Sequence, residues 1–237
     1  MSYTRYELPP TPAPADLKQV ADDYRAIICG VIRSIVERYQ RTPDYPFIDT
    51  KLNLITGEDF DDEDPIRGRG AVYGWIQGRG LESLVGHARF LKSDAQNNHL
   101  VAELDEMIEQ ITAQLQIMRS RNGGHLSFLM DPEGHPFHLT SDGRPLHFSI
   151  NDETPYGFSD LFASKGLFAA ATYAENDAAL SDALHYVEFV EKAIWQESFQ
   201  SDQIPLDPKL RPEPRDGFRA HGAYMIQIGT LAMLAEA

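Results

Sequence analysis

The chain reads as an all-α protein of about six helices joined in pairs, an α/α toroid or solenoid, with one small β-hairpin near residues 125–150. Three observations predict this. Long segments carry apolar residues at spacings of three and four, the mark of amphipathic helices. Turn residues separate these segments into pairs of similar length. Between 125 and 150 the period shortens, and Gly- and Asp-rich turns interrupt it.

The elements follow in order. Residues 1–14 hold Pro9, Pro10, Pro12 and Pro14 and form an extended lead-in; residues 15–237 form a single domain. Asp16 is the expected N-cap of a first helix that runs to about Arg41, where Thr42-Pro43 stops it. Residues 43–70 read as a long loop, with Phe60-Asp-Asp-Glu-Asp-Pro65 as a solvated acidic turn. A second helix is expected over 71–92 and a third over 97–120, ended by Asn122-Gly-Gly124. His125–Met130 and His135–Leu139 should pair across the Asp131–Gly134 turn, and Leu146–Ile150 should form a short strand. Helices resume at 158–174, 177–199 and 218–236, with Asp177 as the N-cap of the middle one.

Composition narrows the function classes. The 237 residues are 42 % hydrophobic, enough for a sizeable core. A net charge of −15 argues against nucleic acid or an anionic membrane as the main partner, because both need clustered Lys and Arg. Arg67, Arg69 and Arg79 still permit a small basic site. The single Cys29, in an apolar run, forms no internal disulfide and is expected to be buried and inert. Neither a leader pattern nor an apolar run long enough for a membrane span is visible, so a cytoplasmic protein is expected.

One helix carries the most chemistry. Trp75, Arg79 and Glu82 share a face of the second helix, while Leu81, Leu84, Val85 and Leu91 give it a buried side. An Arg near an apolar face calls for a carboxylate partner or a cavity that receives a ligand. Gly78 and Gly80 each cost the helix about 1 kcal/mol relative to Ala. Bare backbone beside Arg79 would admit a neighbouring helix or a ligand.

Several motifs, in order, resemble the N-acylglucosamine 2-epimerase family. Val72-Tyr-Gly-Trp-Ile-Gln-Gly-Arg-Gly-Leu81 is similar to its second-helix motif. Asn122-Gly-Gly-His-Leu-Ser-Phe-Leu-Met-Asp-Pro-Glu-Gly134 looks like its hairpin. Phe158–Ala171 is similar to its next inner helix, and Arg219-Ala-His-Gly-Ala-Tyr-Met-Ile-Gln-Ile-Gly229 to the stretch that holds an active-site histidine. The resemblance implies a partial (α/α)6 barrel whose bowl receives Arg79. The family's barrel has twice as many helices as this chain supplies. Its later proton-transfer histidines and acid have no counterpart before Ala237.

Epimerisation beside a carbonyl needs a base, an acid and a cation or donor for the developing enolate. Arg79 fits the cation and His221 the acid/base, so both are the catalytic candidates; Trp75 joins them in sugar binding by stacking on the ring, unless it is a core residue. Tyr73 and Gln77 fall on another side. His125, His135, His138 and His147 cluster around the hairpin without Cys partners or tight helical spacing, so they read as turn and strand residues and no metal is expected. Asp160 suits a helix N-terminus. Gly68-Arg-Gly70 lacks the flanks of a phosphate loop, and no cofactor is expected. The expected partner is a small-molecule sugar, with a second copy or a missing second half pairing against the last hairpin. Two alternatives stand beside the sugar epimerase. One is a non-catalytic half-barrel that binds carbohydrate or a partner chain. The other is a six-hairpin glycoside hydrolase, for which Asp152-Glu153 and Asp160 are the nearest acids.

Overall fold

A computed structural model describes residues 9–151, 153–202 and 221–237. The chain divides between Thr42 and Pro43 into two compact units. The first contains helix α1, Pro14–Gln40. Its start corrects the expected cap: Ala13 is the N-cap, Pro14 takes the first helical position, and the Asp16 carboxylate reaches back to the Ala13 N–H at 2.9 Å. Proline suits that position because its missing N–H would have no helical partner there. Cys29 is buried and is in no disulfide.

The second unit holds α2 (Gly74–Leu91), α3 (Asn98–Arg121), α4 (Phe158–Tyr173), α5 (Asp177–Trp195) and α6 (His221–Glu236), with a 3-10 turn at Ala95–Asn97. The fold is all-α with small β pairings, as the hydrophobic period implies. Helix α4 is the hub: it packs on α2, α3, α5 and α6. Leu161, Ala163, Leu167, Phe168, Ala169 and Ala170 are all buried, so α4 is apolar around most of its circumference, as a central helix must be. Helices α3 and α5 lie against its neighbours α2 and α6 respectively. Sequential helices thus form hairpins, and the alternate helices α2 and α6 both touch α4.

The strands differ from expectation. Residues on either side of the Asp131–Gly134 turn share only one bridge, Met130 to Pro136. Pro136 has no N–H with which to extend a ladder. Instead β2 (Leu129–Met130) pairs antiparallel with β1 (Val72–Tyr73), just before α2. The hairpin proper joins β3 (Phe137–Leu139) to β4 (Pro145–His147) around the Thr140–Gly143 turn.

Two further boundaries move. The cap of α5 is Asn176, whose side chain accepts from the Ala179 N–H at 3.1 Å, rather than Asp177. The same helix ends at Trp195, short of the expected 199, because Glu197 turns left-handed at φ 60°. Ser198 and Phe199 then both donate to the Ala193 carbonyl. The acidic loop is also more than a solvated turn. Arg69 contacts Asp59 at 2.5 Å and Asp62 at 3.1 Å, and Arg67 contacts Asp64 at 2.6 Å. The hydrogen bonds from Arg67 lower the Asp64 pKa to about 2. Two of the three clustered arginines are therefore engaged by loop acids. No helix among the described residues is long and apolar enough to cross a membrane.

Candidate functional site

The crossing of α2 and α4 rests on glycine. A Cβ on Gly78 would lie 2.4 Å from the Phe162 carbonyl carbon, and one on Gly166 would lie 2.3 Å from the Gly78 oxygen. A Cβ on Gly80 would meet the Ile48 side chain at 2.2 Å. The bare backbone beside Arg79 thus admits a neighbouring helix on one side and a loop on the other. Gln77 helps hold that loop: it is buried, and its amide both donates to the Ile48 carbonyl and accepts its N–H, at 2.9 and 2.8 Å.

This close approach sets three residues of α2 against α4. The half-buried Trp75 meets the Phe162 and Phe128 rings edge-on, at 6.0 and 5.4 Å between centroids. Arg79 is exposed, and its guanidinium lies over the Phe162 ring at 5.3 Å. Arg79 faces an aromatic ring, where the sequence called for a carboxylate or a cavity. Glu82 pairs instead with Lys165 of α4 at 2.8 Å. The Trp75 indole N–H is buried with no hydrogen-bond partner.

Helix α6 flanks the same side of α4. A Cβ on Gly222 would lie 3.6 Å from the Phe158 ring, and one on Gly229 would lie 3.0 Å from the Lys165 ammonium. Phe158, Phe162 and Lys165 follow one another at spacings of four and three, so they share a face of α4. His221, the residue before Gly222, opens α6 and is exposed. Arg79 thus lies over Phe162, and Gly222, the residue after His221, lies beside Phe158 one turn earlier on α4. Asp202 lies at the start of α4, where it accepts the Ser159 N–H at 2.9 Å. Burial raises its pKa, against the hydrogen bonds from Ser159.

Asp160 sits at the centre of a separate buried network. It accepts from the N–H groups of Gly157 and Leu126, each at 2.9 Å, and from the Tyr186 hydroxyl at 2.6 Å. His125 approaches it at 3.5 Å and packs its ring, tilted by 31°, against Tyr156. Burial, and then the Asp160 charge, pushes the Tyr186 hydroxyl well above its usual pKa. Asp160 is thus a structural tie between α4, α5 and the 125 loop, a role beyond the helix-dipole reading. Of the other acids weighed for hydrolysis, Asp152 lies outside the described residues and Glu153 is exposed.

The four hairpin histidines separate into two kinds. His125 belongs to the Asp160 network, and His138 packs against Phe148. His135 and His147 converge on Asp131, at 3.0 and 3.2 Å. Sequence reasoning missed this convergence, because it depends on the β3–β4 register. A shallow recess between Tyr45, Lys51, Tyr73 and Gln77 encloses essentially no volume, so it is no small-molecule cavity.

No protein-family model, no curated protein and no solved structure matches this chain.

Proposed function

We propose that the chain is a carbohydrate-binding protein of the N-acylglucosamine 2-epimerase type, with its sugar site on the face where α2 and α6 flank α4. The observation that carries this reading is the exposed Arg79 guanidinium beside Trp75 and Phe162. Aromatic surface suits the apolar face of a pyranose, and a permanent cation suits a developing enolate oxygen. His221, at the start of α6 next to Gly222, is the acid/base in this scheme. It would remove the proton beside the open-chain sugar carbonyl, and Arg79 would stabilise the resulting enolate.

Proton exchange tests the chemistry. The chain is incubated with N-acetylglucosamine in deuterated buffer, and the C2 proton signal is followed by NMR. The epimerase reading expects deuterium to enter at C2, and expects both Arg79→Ala and His221→Ala to stop it. A wild-type chain that leaves the C2 proton untouched overturns the catalytic part and leaves sugar binding.

A second reading, docking of a partner chain or a further helical hairpin, is supported by α6. That helix is apolar nearly all round, yet Met225 and Ile228 are 60 % and 67 % exposed. A helix of this kind is normally covered on both sides. Light scattering over a concentration series tests it: growth in mass that Ile228→Glu abolishes supports docking between copies.

A further inference from the structure

The hairpin end of the molecule carries a cluster that is independent of the sugar-binding face. His135 Nδ1 lies 3.0 Å from Asp131 Oδ2, and His147 Nε2 lies 3.2 Å from the same oxygen. Glu133 lies on the His135 side of the cluster: one ligand atom each from Asp131, Glu133 and His135 lie within 4.8 Å of one another, while His147 joins through Asp131 alone. Two ligands about 2.0–2.1 Å from a tetrahedral ion are roughly 3.3 Å apart. The two nitrogen–oxygen distances already match such an edge.

The fold holds these groups in place. The second Asp131 oxygen accepts the His135 backbone N–H at 2.8 Å, which fixes the carboxylate so that Oδ2 faces the two rings. Asn122, buried at the end of α3, donates to the Gly134 carbonyl at 2.8 Å and pins the turn. Arg121 donates to the Glu133 carbonyl. The β3–β4 register sets His147 opposite Phe137, and the Phe148 N–H binds the Pro136 carbonyl at 3.0 Å. His135 and His147 remain 63 % and 53 % exposed along their side chains, so an ion can enter from solvent.

We propose that Asp131, His135 and His147, with Glu133 as a further ligand, form a binding site for one divalent transition-metal ion. Imidazole and carboxylate together suit zinc and its neighbours, whereas calcium and magnesium prefer all-oxygen shells. The ion would clamp the Asp131–Gly134 turn to β4 and leave room for water in its remaining positions.

Zinc itself is the probe, titrated into the full, tag-free chain by calorimetry. The expected result is one ion per chain at a dissociation constant of about micromolar. His135→Ala and His147→Ala should each weaken binding at least about tenfold, while His138→Ala on the same hairpin should leave it unchanged. A wild-type chain that binds no zinc below roughly millimolar overturns the proposal, as does a His147→Ala chain that binds as tightly as wild type. Histidine NMR on the wild type covers the case of a variant that misfolds. Zinc should shift the His135 and His147 ring signals and spare those of His125 and His138. Shifts confined to other histidines would overturn the assignment.

Discussion

Asp202 accepts the Ser159 N–H with one oxygen, while its other oxygen is buried without a partner. Burial raises its pKa, and the nearby Asp160 charge adds to the effect. A carboxyl raised by folding contributes stability below its unfolded pKa and loses it as pH climbs through the folded value. Asp202→Asn should therefore flatten the decline of stability above about pH 4 and make the chain more stable near neutrality. Urea unfolding at several pH values checks this; an unchanged slope would contradict it. Gln227 poses a related case: it is 3 % exposed, and neither amide atom has a partner. Gln227→Met should raise stability by about 1 kcal/mol, the order of the desolvation cost of an orphaned amide. Such details were not legible in the sequence. Asp160 could be placed near a helix start, but its partners Leu126 and Tyr186 come from distant segments, and local pattern does not encode distant contacts.

The helices themselves were legible, because apolar spacing, turn residues and prolines are local signals. Boundaries were missed where a local rule had competition. Asn176 displaced Asp177 as a cap, and Glu197 turned left-handed without glycine to announce it. The strands were misplaced because pairing Val72 with Met130 joins segments far apart in the chain. Glycines 78 and 80 leave bare backbone beside Arg79 that could admit a helix or a ligand, and protein fills both places. This yields a paired prediction at the level of α2. Gly78→Ala drives a methyl into the α4 backbone and should cost about 2–3 kcal/mol or more. Gly86, exposed on the same helix, has nothing near its Cβ position. Gly86→Ala should stabilise by about 0.5–1 kcal/mol. Thermal unfolding of the two variants distinguishes them, and equal shifts would refute the tight crossing.

At the scale of the molecule, α4 organises the second unit, with α2 and α6 beside it. This arrangement gives Arg79 its place next to Phe162, and His221 opens α6, whose Gly222 and Gly229 approach Phe158 and Lys165 on the same face of α4. The sequence made Arg79 prominent through its neighbours Trp75 and Glu82, yet it could not decide between an ion pair and an open face. Lys165 takes the Glu82 carboxylate, and Arg79 remains exposed over an aromatic ring. An exposed Arg of this kind contributes little to folding, so Arg79→Ala should unfold within about 0.5 kcal/mol of wild type. Its loss should instead be felt by a ligand. The most direct test is saturation-transfer NMR with N-acetylglucosamine on the wild-type and Arg79→Ala chains, each verified as folded. The account predicts clear transfer to the sugar in the wild type and its loss in Arg79→Ala; equal transfer in both, or none in the wild type, would contradict it.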